Sequence, residues 1–215
     1  MPGILLGPVD TPGVSRIYHA VGVLSLPVVR FLFRLRATGL EHLPAEGGFV
    51  LAANHTSNFD PWPLGLPLFR QRWLRFMAKS ELYWWPLRAV LDAVGAFPVE
   101  RGRGDVEAIA KAVELVRSGD VVVMFPEGTR RRKGLRKRWE ARPHTGAARI
   151  ALGARAPLVP AAIAGTDRLS RLGPLRVRYG DPLDLSDLDG LETKAASAAA
   201  TDRLMAKIAE LRAGL

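Results

Sequence analysis

His55 and Asp60 stand five positions apart in the stretch NHTSNFDPW, directly after an apolar run. An aspartate bonded to one imidazole nitrogen fixes the ring's tautomer and stabilises the imidazolium, leaving the other nitrogen to take a proton. That is the chemistry of a general base. On a continuous helix, residues five apart are rotated by roughly 140°, which would point the two side chains away from each other. A loop between a strand and a helix can fold them together. Asp60 followed by Pro61 reads as a helix start, with Asp at the N-cap and Pro at the first helical position. The stretch is equally readable as a capped turn with an incidental histidine, and alone it does not decide.

Two further constellations carry chemistry. In VVVMFPEGTRRR, Val121 to Arg132, a buried strand ends at Phe125, turns through Pro126, Glu127, Gly128 and Thr129, and runs into arginines. Gly128 lets the backbone approach a ligand, and Thr129 and Arg130 offer donors suited to phosphate. The lysine of a Walker A loop is missing, so a nucleotide P-loop is not supported. In GAFPVERGRGD, Gly95 to Asp105, another strand runs into Arg101 and Arg103. Two strand ends carrying arginine beside a strand end carrying His and Asp would make an anionic-substrate site next to a general base. Taken singly, each arginine reads as a surface residue.

The elements that must position these residues follow from apolar periodicity. FVLAAN (49–54), RFMAK (75–79), AFPVE (96–100), DVVVMF (120–125) and PLVPAAIAG (157–165) read as buried strands. Helical patterns lie between them. GDVEAIAKAVELVRSGD places Val106, Ile109, Ala110, Val113 and Val116 on one face, TGAARIALGA (145–154) is a second helix, and TKAASAAATDRLMAKIAELRAGL a third. LRVRYGDPLDL (175–185) alternates and fits an edge strand. Strands alternating with helices predict an α/β fold, a single domain with a mixed, mostly parallel sheet flanked by helices. In such a sheet ligands bind at the carboxyl ends of strands, where His55 would stand.

Composition narrows the partners. The chain has 215 residues, room for one substantial core, with 48% hydrophobic and 24% charged residues. Cysteine is absent, which fits a reducing compartment, and the four histidines show no zinc-motif spacing, so no metal site is expected. The net charge is +10, and between Arg130 and Arg142 eight Lys or Arg face Glu140 alone. Such a run attracts nucleic acid, anionic lipid or phosphorylated small molecules, unless it is only a solvated loop. Met1–Thr11 lacks the pattern of a secretory signal. The apolar stretch Ile17–Val29 is 13 residues long, contains His19 and Pro27, and is short of the roughly 20 residues that a spanning helix needs. It continues as RFLFRLR, apolar bulk edged by Arg30, Arg34 and Arg36, which suits an amphipathic segment in a membrane interface or one capping the core.

His-x4-Asp in NHTSNFD, then AFPVERG, FPEGTR and VPAAIAG, in that order, resembles the glycerolipid acyltransferase family that includes 1-acylglycerol-3-phosphate O-acyltransferase. The resemblance covers roughly residues 35 to 185. It implies that His55 is the base that deprotonates an acceptor hydroxyl and that Asp60 orients and charge-stabilises it. Arg101 would bind the acceptor's phosphate, with Glu127, Gly128, Thr129 and Arg130 completing that site, and Val159 and Pro160 would belong to an apolar wall for the acyl chain. The implied donor is acyl-CoA or acyl-carrier protein, the acceptor a lysophospholipid, foremost lysophosphatidate, with no cofactor. Glycerol 3-phosphate or another lyso-lipid is the alternative acceptor. The implied organisation is an N-terminal, membrane-interfacial helical segment (1–36) and an acyltransferase domain (37–215). The implied place is peripheral or monotopic on the cytoplasmic face of the cell membrane.

The chain departs from the family pattern at one point. Where the family commonly shows Phe-Lys before a Gly-Ala-Ala helix, this sequence reads RPHTGAARIA, with Pro143 and His144. The missing lysine charge would come from Arg142 or the basic run before it. Trp84 and Trp85 in LYWWPL suit membrane contact or core packing alike. A reading of another class, a non-enzymatic module for anionic membranes or nucleic acid, would rest on the basic run. No recognition aromatics or helix-turn-helix pattern support it, and no nucleic-acid partner is expected.

Overall fold

Phe49–Ala53 is apolar at every position and every one of the five is buried. A strand exposed on one side would alternate, so an unbroken run of this kind belongs in the middle of a sheet covered on both faces. The computed structural model, which describes residues 16–99, 105–128 and 143–215, places it there. The strands are β1 (Arg36–Thr38), β2 (Phe49–Ala53), β3 (Leu74–Lys79), β4 (Ala96–Val99), β5 (Val121–Met124), β6 (Leu158–Ala164) and β7 (Arg176–Tyr179). They form one seven-stranded sheet in the order β1-β7-β6-β2-β5-β3-β4, with β2 at its centre. Every pairing is parallel except β6 with β7.

The helices are α1 (Arg16–Pro27), α2 (Pro61–Gly65), α3 (Leu87–Ala93), α4 (Asp105–Arg117), α5 (Gly146–Ala154) and α6 (Thr193–Ala213). Because side chains alternate along a strand, Val50 and Ala52 of β2 face one layer while Phe49, Leu51 and Ala53 face the other. The first layer is closed by α4, α5 and α6 through Ala112, Val116, Ala148, Ile150, Ala200 and Leu204. The second holds Leu64 and Leu68, from α2 and the turn after it, against Val123, Val159 and Val177. The Tyr179 hydroxyl donates to the Leu64 carbonyl at 2.6 Å, which ties α2 to the sheet. A third cluster, Tyr18, Val29, Phe33, Leu66, Phe69 and Leu175, seats the N-terminal segment. A Cβ at Gly22 would collide with the Phe69 ring, so glycine allows α1 its close approach there.

The five buried strands and the three helices read from the sequence are all present, as is the mostly parallel α/β sheet. Three details differ. The strand expected at the edge, β7, is covered by β1, joined in the register Arg36↔Arg176. β1 is a three-residue strand, Arg-Ala-Thr, too short and too polar to show a period. In α4 the inward face is Ile109, Ala112, Val113 and Val116, whereas Val106 in the first turn is 68% exposed and Ala110 is exposed. The N-terminal stretch is α1 followed by one turn of π-helix, Val28–Leu32. Its outward side carries Ile17, Val21, Val23, Leu24, Val28, Phe31 and Leu32, so the exposed face is largely apolar and not the polar face of an amphipathic core helix. Among the described residues no helix is long and apolar enough to cross a membrane.

Candidate active site

Since β6, β2 and β5 run parallel, their carboxyl ends emerge at one edge of the sheet. Asn54, the residue after β2, is almost wholly buried and turns its side-chain amide onto β6. Its Nδ2 donates to the Ile163 carbonyl at 3.0 Å, and the Ile163 amide donates to its Oδ1 at 2.8 Å. The side chain thus pairs with the neighbouring strand as a backbone would, and pins the point where the chain leaves the sheet. His55 is the next residue.

The chain then turns back. The Asp60 amide donates to the Ser57 carbonyl at 3.2 Å, and Pro61 opens α2. Asp60 holds the N-cap position, as its sequence predicts, yet its carboxylate makes no capping bond to that helix. It points into the loop instead. Oδ2 accepts from His55 Nδ1 at 2.8 Å, from the Thr56 amide at 2.6 Å and from the Ser57 amide at 2.9 Å. Oδ1 accepts from the hydroxyls of Thr56 at 3.2 Å and Thr166 at 2.5 Å. Thr166 follows β6, so the third strand end also reaches this carboxylate. Burial pushes the Asp60 carboxyl up, but hydrogen bonds from His55, Ser57, Thr166 and Thr56 together outweigh it. Its pKa is held below the ordinary carboxylate range, so Asp60 is a fixed anion at neutral pH.

His55 is held on its faces as well. Phe125, directly after β5, stacks on the imidazole with ring centres 4.3 Å apart and planes inclined by 22°. Beyond Phe125 the turn tightens, with the Gly128 amide donating to the Phe125 carbonyl at 3.0 Å. The His144 amide donates to the Pro126 carbonyl at 2.8 Å. Gly128 has φ +67, and a Cβ on it would run into the His144 ring, so this position needs glycine on both counts. Glu127 is half-buried in the same turn.

The structure therefore brings His55, Asp60, Glu127 and Gly128 to the carboxyl edge of neighbouring strands. Arg101, Thr129 and Arg130 lie outside the described residues, as does most of the basic run to Arg142. The strand before Arg101, β4, ends at the same edge but three strand positions from β2. Val159 and Pro160 sit within β6 and not at the edge: Val159 is fully enclosed among Leu51, Val123 and Val177, and Pro160 is buried opposite Ala52. Their side chains fill the core beneath the site. Thr56, Ser57, Phe125 and Thr166 carry the geometry around the pair without having been singled out from the sequence. Thr166 was within reach of such a reading, as the residue after the motif VPAAIAG. Among the described residues no group of His, Cys, Asp and Glu is gathered in a way that could hold a metal ion.

A mostly parallel sheet with an Asp-anchored histidine at the carboxyl end of its central strand is an arrangement chemically able to take up a proton. The family model for acyltransferase matches residues 34–164, from just before β1 to the end of β6. The chain belongs to the acyltransferase family and is an enzyme of that class. It is 34% identical over 177 residues to the 1-acyl-sn-glycerol-3-phosphate acyltransferase of Bacillus subtilis (strain 168), covering 80% of this chain and 84% of that one. To the chloroplastic 1-acyl-sn-glycerol-3-phosphate acyltransferase BAT2 of Brassica napus it is 28% identical, over 74% of this chain but only 45% of the plant protein. In fold it matches the crystal structure of the 1-acyl-sn-glycerophosphate (LPA) acyltransferase PlsC from Thermotoga maritima, with a TM-score of 0.63 and 23% identity, over 90% of this chain and 79% of that chain.

Proposed function

We propose that this acyltransferase moves a fatty acyl group from a thioester donor, acyl-CoA or acyl-carrier protein, to the free hydroxyl of 1-acylglycerol 3-phosphate. The observation that carries the proposal is the His55–Asp60 pair, with His55 Nδ1 bonded to a fully buried carboxylate that is itself held by four further donors. Its support from kinship is the activity named for the Bacillus subtilis relative.

The proton balance runs through one imidazole. With its proton on Nδ1, directed at Asp60, His55 accepts the acceptor's hydroxyl proton on Nε2. The oxygen attacks the thioester carbonyl in the same event and forms the new C–O bond. The tetrahedral centre collapses with loss of the C–S bond, and the imidazolium returns its proton to the departing sulfur. The products are an ester and a free thiol, with no acyl-enzyme between them. Asp60 keeps its charge throughout and lowers the energy of the imidazolium, while Phe125 fixes the plane of the ring. Arg101, Thr129 and Arg130 take the acceptor's phosphate, and Glu127 and Gly128 complete that acceptor site.

The acceptor and the acyl chain are bilayer components, so the enzyme works as a peripheral or monotopic protein, and we place it on the cytoplasmic face of the cell membrane. Residues 1–36 form the membrane-facing segment and 37–215 the acyltransferase domain. Trp84 and Trp85, 59% and 86% exposed, supply a second apolar contact of the kind favoured at interfaces. An acceptor panel tests the proposal: lysophosphatidate, glycerol 3-phosphate and lysophosphatidylcholine, each offered with acyl-CoA and with acyl-carrier protein, reading the thiol released. Lysophosphatidate is expected to be turned over fastest. Faster turnover of the choline lipid would contradict the phosphate assignment.

A further inference from the structure

Arg34, Arg36 and Arg176, with Pro174, line a cleft of about 240 Å³. All three arginines are exposed. Arg36 and Arg176 stand in register on the parallel strands β1 and β7, so their side chains leave the same face of the sheet at the same level. Like charges placed directly opposite oppose strand pairing. Among the described residues no carboxylate is paired with any of the three. The bond made by Arg34 goes from Nη2 to the Leu172 carbonyl, at 3.4 Å.

The backbone at this cleft is also unusual. Arg34 has φ 46 and Leu172 has φ 49, two of the three non-glycine residues with left-handed backbone among the described ones, and the bond just named joins them. Strain of this kind persists where the surroundings impose it and gathers at functional places. The position in the sheet adds a third observation. β7 runs antiparallel to β6 in the register Ala164↔Arg176, so Arg176 stands beside the carboxyl end of β6. The cleft therefore shares the sheet edge with His55, two to three strand positions to one side of β2, and β4 ends three positions to the other.

We propose that the Arg34–Arg36–Arg176 cleft binds the phosphate of an anionic phospholipid headgroup, at a site separate from the acceptor's, and thereby turns the catalytic edge towards the bilayer. Guanidinium groups match phosphate oxygens in a planar, forked geometry, and a phosphate would relieve the Arg36–Arg176 repulsion. The neighbours select a lipid over a soluble phosphate. Phe31 and Leu32, 77% and 47% exposed, precede Arg34 by three and two residues, and Leu172 is 46% exposed. Val28 and Leu24 extend this apolar surface along the N-terminal segment, at 43% and 73% exposure. Apolar side chains beside arginines fit the boundary where acyl chains meet headgroups.

The proposal rests on the enzyme acting on a bilayer-borne acceptor, but its test reads binding without turnover, so the two can fail separately. The full chain is sedimented with phosphatidylcholine vesicles, with and without phosphatidylglycerol. The variant Arg36→Gln/Arg176→Gln is compared with Lys111→Gln/Lys194→Gln, which removes the same charge elsewhere. Loss of two basic residues at such a surface is expected to weaken binding to the anionic vesicles roughly tenfold or more. The control should lose clearly less, and Arg36→Lys/Arg176→Lys should recover only part, because lysine keeps the charge but not the fork. Equal losses in the cleft variant and the control would overturn the proposal, since only net charge would then matter. So would unchanged vesicle binding together with weaker binding of inorganic phosphate or a raised KM for a monomeric short-chain acceptor. Those results would assign the cleft to a soluble phosphate or to the acceptor.

Discussion

Asp60 and Asp120 stand at opposite ends of neighbouring strands and answer burial in opposite ways. Asp60 follows β2 at the carboxyl edge and its side chain is fully enclosed, while Asp120 precedes β5 at the amino edge and keeps 18% of its side-chain surface. Burial raises both carboxyls. Asp60 nevertheless ends below the ordinary range, and Asp120 ends above it. The difference lies in the donors. Asp60 receives two backbone amides, two hydroxyls and an imidazole, whereas Asp120 has the Arg75 Nε at 3.8 Å, a charge that is itself spread over the Trp73 ring 4.4 Å away. A cation nearby offsets burial only in part, while short hydrogen bonds from a preformed loop more than offset it. One end of the sheet holds a permanent anion built to serve a histidine, and the other holds a structural pair.

The comparison breaks most visibly at Asp60. Asp60→Asn keeps the size of the side chain but removes the charge that fixes the His55 tautomer, and turnover should fall by about 10²–10³-fold, measured as kcat with the fold checked by circular dichroism. A smaller effect is expected from Thr166→Val, which takes one short donor from the carboxylate. Activity should drop about tenfold and stability by about 1.5–3 kcal/mol, the usual worth of a bond to a charged group. Thr166→Ser should restore both, and failure of serine to do so would show that the methyl, not the hydroxyl, matters. Asp120→Asn should leave turnover unchanged and leave the melting temperature equal or higher, because a carboxylate that burial disfavours is replaced by a neutral amide.

The pH dependence of stability separates the two ends by sign. A carboxyl whose folded pKa is lowered stabilises the fold above the ordinary value of about 3.9, and that contribution is lost as the pH falls from there through the folded value. This is the case of Asp60, so wild type should lose stability on the acid side and Asp60→Asn should show a flatter acid limb. Asp120 has the opposite sign: its ionisation lowers stability as the pH rises from the ordinary value through its raised folded one. Asp120→Asn should remove that loss. Denaturant unfolding at a series of pH values reads both, with the Asp120 effect the smaller.

Much of this was legible in the sequence because it depends on local pattern. The unbroken apolar run of β2 marks a central strand, and Asp60-Pro61 marks the start of α2, so the His55 loop had to emerge at the carboxyl edge. The pairing of Asp60 with His55 is one of the two readings of NHTSNFDPW; what was not legible is that the carboxylate, though at the N-cap position, makes no bond to the helix ahead and is held by the amides of Thr56 and Ser57 in the loop behind. Thr166 donates to Asp60 from 106 positions away, a contact set by the β2–β6 pairing; its place directly after VPAAIAG marks the residue but not its partner. β1 escaped for the same reason, as three residues carry no period and are recruited by β7. Val159 and Pro160 open the motif that Thr166 directly follows, yet they are buried within β6, because only the end of β6 reaches the site.

The central claim, that His55 is the proton acceptor in acyl transfer, is tested most directly by thiol release from acyl-CoA in the presence of lysophosphatidate, with wild type beside His55→Ala. His55 opens the loop after β2 and lies outside the apolar clusters of the core, so the variant should fold, which a melting curve of the same preparation checks. Wild type is expected to release thiol in step with ester formation, while turnover of His55→Ala falls by at least about 10³-fold with its fold intact. A folded His55→Ala protein that keeps near-normal turnover would contradict it.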